Sequence, residues 1–139
     1  MLRSVLAVIA AFVVSTVLVI AVELVSTTLF PPPPGLDPRD QEQLAAWISG
    51  LPVGALLLVG LAHALGGFGG GVTGARIGGK GPALVFAVVF ALGTVVNLFT
   101  IPHPTWFAVY DVVCLIVGVS AGVALGLRWR ASAPPAPAA

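Results

Sequence analysis

The chain has 139 residues, 58% of them hydrophobic and 8% charged, with a mean hydropathy of +1.10. Soluble domains carry about 25% charged residues, and a chain this short buries too small a share of its surface to hide so much apolar area in water. The formal charge of +1, with basic residues at predicted helix ends rather than along one face, excludes a nucleic-acid surface. Cys114 is the only cysteine, which excludes a disulfide within the chain and a cysteine zinc site.

Arg3 precedes an apolar run that is too long for a signal-peptide core, which takes about 7–15 residues. The first predicted span covers 5–30, and Pro31–Pro34 stops it by removing backbone donors. Asp37 reads as the N-cap of a short helix over 38–49, with Pro38 in its first position. Leu44, Trp47, Ile48 and Leu51 fall at i, i+3, i+4 and i+7 and form one apolar face. This helix either lies in the membrane interface with Trp47 as anchor or packs on the protein.

The second span is predicted over 53–72, followed by a glycine-rich loop over 73–81 that carries Arg76 and Lys80. That loop is not a phosphate-binding one: Lys80 is followed by Gly81 rather than Ser or Thr, and no strand precedes it. The third span covers 82–101, Pro102-His103-Pro104 forms a rigid hinge, and the fourth span covers 105–127. Trp106 and Phe107 sit at its start, where an aromatic belt belongs. The expected fold is therefore an all-α, four-helix transmembrane bundle, one domain over 1–130, with a disordered Ala/Pro tail over 131–139.

Gly66, Gly70, Gly74 and Gly78 recur every fourth residue, and so do Gly118, Gly122 and Gly126. On a helix each set forms one bare stripe that lets another backbone approach closely. The second and fourth spans also share Pro52 with Pro104 and Arg76 with Arg128, each pair 52 residues apart. Two similar hairpins in parallel repeat would produce this correspondence.

Glu23, His63 and Asp111 are the ionisable residues inside the spans, and Asn97 adds an amide. Such groups are costly in lipid and are default functional candidates. At 1.5 Å per residue, Glu23, Asn97 and Asp111 fall toward the outer side and His63 near mid-membrane. Together they predict an outward-facing polar pocket floored by His63. The alternatives are local: Glu23 and Asp111 reaching the interface, Asn97 joining helices, His63 bonded to a backbone carbonyl. No metal is expected, since neither His-x-x-x-His nor Glu-x-x-His occurs, and no cofactor is implied. Five of the six basic residues, Arg3, Arg76, Lys80, Arg128 and Arg130, fall on one side, which places both termini in the cytoplasm of a bacterial inner membrane.

The run from Phe30 through Pro38, then Leu51-Pro52, and later Ile101 through Phe107 resemble small four-span bacterial integral membrane proteins of uncharacterised function. That family lends no activity. Gly70 through Arg76, followed by Gly93-Thr94-Val95-Val96-Asn97, is similar to the first two helices of fluoride channels. Here the arginine comes two residues early, the second motif is one residue short and an extra helix precedes both, so no residue role is carried over. The sequence thus implies a non-catalytic membrane protein that works by glycine-mediated packing, as a homo-oligomer or an accessory subunit of a membrane complex. The alternatives are a small transporter or channel using the outer pocket, and an intramembrane enzyme or lipid-binding protein.

Overall fold

The computed structural model describes residues 1–101 and 103–132. The chain is all-helical: α1 (Leu2–Leu29), α2 (Gln41–Ser49), α3 (Val53–Gly78), α4 (Lys80–Thr100) and α5 (Thr105–Ala131). Of these, α1, α3, α4 and α5 are long and apolar enough to cross a membrane. The tail expected to be disordered lies, beyond Ser132, outside the described residues, as does Pro102 of the expected hinge.

The helix α3 is the centre of the bundle. It packs against α1, α4 and α5, whereas α1 and α5 lie on opposite sides of it and α4 leans toward α1. The chain reverses between neighbouring spans, so α3 and α5 run parallel. In lipid the hydrophobic effect does not draw helices together, and close packing must do so. The sequence supplies this with small residues: α3 carries nine glycines, and Gly60, Gly66, Gly67, Gly70, Gly71 and Gly74 are all buried.

The glycine-rich stretch expected as a loop is helical up to Gly78, and the turn shrinks to Gly79. A glycine inside a helix costs about 0.5–1 kcal/mol relative to alanine, but here the bare faces are filled. Gly74 and Ala75 are buried against neighbouring helices, so tertiary packing overrides the loop-like composition. Gly79 sits at φ 83°, a left-handed conformation suited to glycine, and it joins α3 to α4 directly.

The short helix also starts later than expected. Asp40, not Asp37, is its N-cap: Oδ1 accepts from the backbone N–H groups of Glu42 at 3.0 Å and Gln43 at 3.1 Å. Asp37 instead closes a local turn by accepting from the Arg39 N–H at 2.9 Å. These bonds, with the Gln43 amide on Oδ2, hold the Asp40 carboxyl below its ordinary range. The apolar face of α2 packs on the end of the bundle. Ile48 meets Leu56 of α3 and Phe107 of α5, with Leu44, Trp47 and Leu51 around them.

At the other end, guanidinium groups cap α3. Arg3 Nε donates to the Ile77 carbonyl at 2.9 Å, and Arg130 Nη1 donates to the same carbonyl at 2.6 Å. The last carbonyls of a helix lack partners within it and carry partial negative charge, so cations there are stabilising. Arg76 in turn lies over the Trp129 ring at 5.4 Å.

Candidate functional site

Two polar arrangements stand out, and both depend on how the helices are registered. Along the α3–α5 contact, a Cβ added to Gly118 would meet the Ala64 backbone, one on Gly122 the Phe68 backbone and one on Gly126 the Val72 backbone. From the other side, a Cβ on Gly71 would lie 3.0 Å from Val123 N and 3.1 Å from Val119 O. Residue i of α3 therefore lies beside a residue about 52 positions on, and the spacing of the sequence repeat is also the register of the contact. The face of α3 that receives α5 carries Gly60, Gly67 and Gly71, which the four-residue stripe did not single out. Its members Gly66, Gly70 and Gly74 turn instead toward α1 and α4. Gly66 faces Ser15 and Val19, Gly70 the Phe86 ring, and Gly74 Ala11 and Ala83.

That register brings His63 and Asp111 together. His63 Nδ1 is 2.7 Å from Asp111 Oδ1, and Asp111 is fully buried. Helical side chains lean toward the N-terminus, so both groups point to the α2 end. His63 reaches back about one turn to meet Asp111. The imidazole stands edge-on to Phe90 at 6.1 Å. Phe90 stacks on Phe86 at 5.4 Å, and Phe86 meets Phe12 of α1 at 5.0 Å. This aromatic row runs from α1 across α4 to α3 and fixes the ring. Tyr110, one residue before Asp111, donates to the Leu57 carbonyl at 3.0 Å and adds a second polar tie between α3 and α5.

A carboxylate and an imidazole in a low-dielectric interior are electrically neutral as a pair when they hold one proton between them. Losing it leaves a buried negative charge, and gaining a second leaves a buried positive one; both are costly. Asp111 Oδ2 has no hydrogen-bond partner among the described residues. No hydroxyl or thiol among them bonds the imidazole, so the pair lacks the nucleophile that a Ser–His–Asp array needs.

Glu23 and Asn97 do not join this pair. They line a separate cavity of about 260 Å³ at the α2 end of the bundle, together with His103. Ser26, Thr27 and Phe30 of α1 form one wall and Trp47 of α2 forms part of the roof. Sequence depth placed Asp111 with Glu23 and Asn97, but Asp111 faces α3 and is paired there. The sequence places His103 only in the hinge between α4 and α5. It lines the cavity, stacks on Phe107 at 4.7 Å, and its Nδ1 is buried without a partner among the described residues. Burial holds the His103 imidazole below its ordinary range.

Toward the Gly79 end the interior is closed by glycine, alanine and phenylalanine, with Ala7, Ala11, Ala75, Ala83 and Phe86 fully buried. Ser15, on α1 facing Gly66, is buried with its hydroxyl unpaired among the described residues. No group of three or more metal-ligating side chains gathers among the described residues. The chain matches no protein-family model, no curated protein and no solved structure.

Proposed function

We propose that this is a non-catalytic, multi-pass membrane protein that binds a small solute in the cavity beneath α2. One observation carries this reading: Glu23, Asn97 and His103, from three segments distant in sequence, line one cavity. Polar groups at membrane depth are retained where they face a cavity or each other, and a concave, mostly apolar site with few polar groups is the usual form of a small-molecule site. The closed packing toward the Gly79 end suits a gated transporter or a receptor better than an open channel. In the orientation implied by the basic residues, the cavity faces outward and both termini are cytoplasmic.

Accessibility tests this directly. In a Cys114→Ser background, Glu23→Cys and Asn97→Cys should both react with a membrane-impermeant maleimide added from outside. Val88→Cys, on the exposed face of α4, is the lipid-facing control. If the cavity positions label no faster than this control, the cavity is not open to water and the reading fails.

A second reading, assembly as a homo-oligomer, is favoured by Gly93. The seven stripe glycines Gly66, Gly70, Gly74, Gly78, Gly118, Gly122 and Gly126 all face other helices of the same chain, so they are not free to join copies. Gly93 lies exposed on α4 with nothing within 4 Å among the described residues. Bare faces of this kind pack between membrane helices. Particle mass in mild detergent, compared with that of Gly93→Leu, decides it: an assembly built on Gly93 breaks, and an unchanged mass removes the reading.

A further inference from the structure

We infer that the cavity beneath α2 takes an amphipathic primary or secondary ammonium ion, an apolar body carrying one protonated amine. The inference rests on the solute-binding reading above and assigns the chemistry of that site. Among the described residues lining the cavity, Glu23 is the only charged one, and no lysine or arginine lines it. The solute that neutralises it carries a single positive charge.

Each polar partner offers at least one acceptor. The Glu23 carboxylate only accepts hydrogen bonds, and the Asn97 amide offers a carbonyl oxygen. Burial holds the His103 imidazole below its ordinary range, and its Nδ1 is buried without a partner among the described residues. A buried ring nitrogen left unpaired costs free energy that an incoming partner recovers, and in the tautomer that carries its proton on Nε2 that partner is a donor. A ligand rich in N–H donors fits this set, whereas an anion meets acceptors and a negative charge. A quaternary ammonium has the charge but no N–H, so it leaves the imidazole unpaired.

The remaining walls set the body of the ligand. Phe30, Trp47, Leu44, Leu51, Leu56 and Ile101 are apolar, and two of them are aromatic. Aromatic faces attract ammonium groups and pack against hydrocarbon or aryl bodies. The volume of about 260 Å³ accommodates a single-ring amine and excludes a bare inorganic cation as the natural fit, because most of the wall would stay unpaired with it.

The test is equilibrium binding to the full-length protein in lipid nanodiscs at neutral pH. The probes are 2-phenylethylammonium, the neutral 2-phenylethanol, and 3-phenylpropanoate. The expected result is that the ammonium binds at least tenfold more tightly than the alcohol and that the carboxylate does not bind. Glu23→Gln should remove that preference while the protein stays folded, since Glu23 is exposed and makes no side-chain hydrogen bond among the described residues. His103→Phe keeps a ring against Phe107 and should weaken the ammonium with little effect on the alcohol. If the alcohol binds as tightly as the ammonium, or Glu23→Gln leaves the preference intact, the ammonium assignment is wrong and the solute site stands. If no probe binds and the cavity cysteines are also unreactive, the site itself is wrong. If the cysteines react but no probe binds, only the ammonium assignment falls.

Discussion

Adding one methyl group at Gly122 separates close helix packing from mere proximity. A Cβ there would lie 2.8 Å from Phe68 Cα and 2.9 Å from Phe68 C, and closer still to the carbonyl oxygen. Carbon pairs prefer roughly 3.5–4.0 Å, so α5 must retreat by about 0.7 Å from the 2.8 Å position. The obstacle is backbone, which cannot rotate away. A gap of about 0.5–1 Å forfeits a quarter to a half of the dispersion energy along the seam, and overpacking of this kind costs about 1–3 kcal/mol. Gly70→Ala meets the tip of the Phe86 ring instead, at 2.6–2.7 Å for two of its atoms, and a ring can tilt. Gly93→Ala meets nothing within 4 Å among the described residues and should gain about 0.5–1 kcal/mol from helix propensity alone. Thermal unfolding in mild detergent should therefore rank Gly93→Ala at or above wild type, Gly70→Ala lower, and Gly122→Ala lowest. A Gly122→Ala protein as stable as Gly93→Ala would refute the close α3–α5 seam.

Three further outcomes follow from other parts of the bundle. His63→Ala strands the buried Asp111 carboxyl without its partner; interhelical hydrogen bonds in membranes average about 0.6 and reach about 1.7 kcal/mol, and this loss should fall at the upper end. Asp111→Asn keeps a hydrogen bond to the imidazole and should cost less, so equal unfolding temperatures for the two variants would contradict the pairing. Burial holds His103 below its ordinary value of 6.5, so the unfolded chain binds the proton more readily: stability is full above that value and falls as pH drops below it. Amide protection in α2 and at the start of α5, corrected for the intrinsic pH dependence of exchange, should fall at pH 5 relative to pH 7.5, and His103→Phe should abolish the difference. Reporter fusions at Gly79 and Ala139 should read cytoplasmic and one at Gly35 should read external; a C-terminal fusion on the outside would overturn this topology.

Hydropathy and proline placement were enough to find the four long helices, because apolar runs of about 20 residues have few other uses. Composition misled at 73–78, where glycines that look like a loop are a helix made viable by the neighbours that fill its bare faces. Asp37 and Asp40 are both good caps on paper, and only the backbone path shows which one reaches the free N–H groups. The His63–Asp111 pair needed helix register, which depth along single helices cannot supply. The signal was present in the repeat: an offset of 52 sets residue 63 beside residue 115, and Asp111 lies one turn above that on the same face. Grouping Asp111 with Glu23 treated equal depth as shared direction. Between two prolines His103 reads only as part of a hinge, because its cavity exists only once α2 folds over the bundle end.

The central position of α3 bears on how the chain is built during synthesis. Every other long helix leans on α3, yet its partners are made on both sides of it in time. The helix α1 is already waiting when α3 emerges, and α4 follows through the single residue Gly79, so these three can assemble as each leaves the ribosome. The face of α3 bearing Gly60, Gly67 and Gly71 must stay uncovered until α5, the last long helix, arrives. A nascent chain arrested before α5 would expose a bare seam and an unpaired His63 to lipid. Such an intermediate offers membrane quality-control proteases a ready mark of incompleteness.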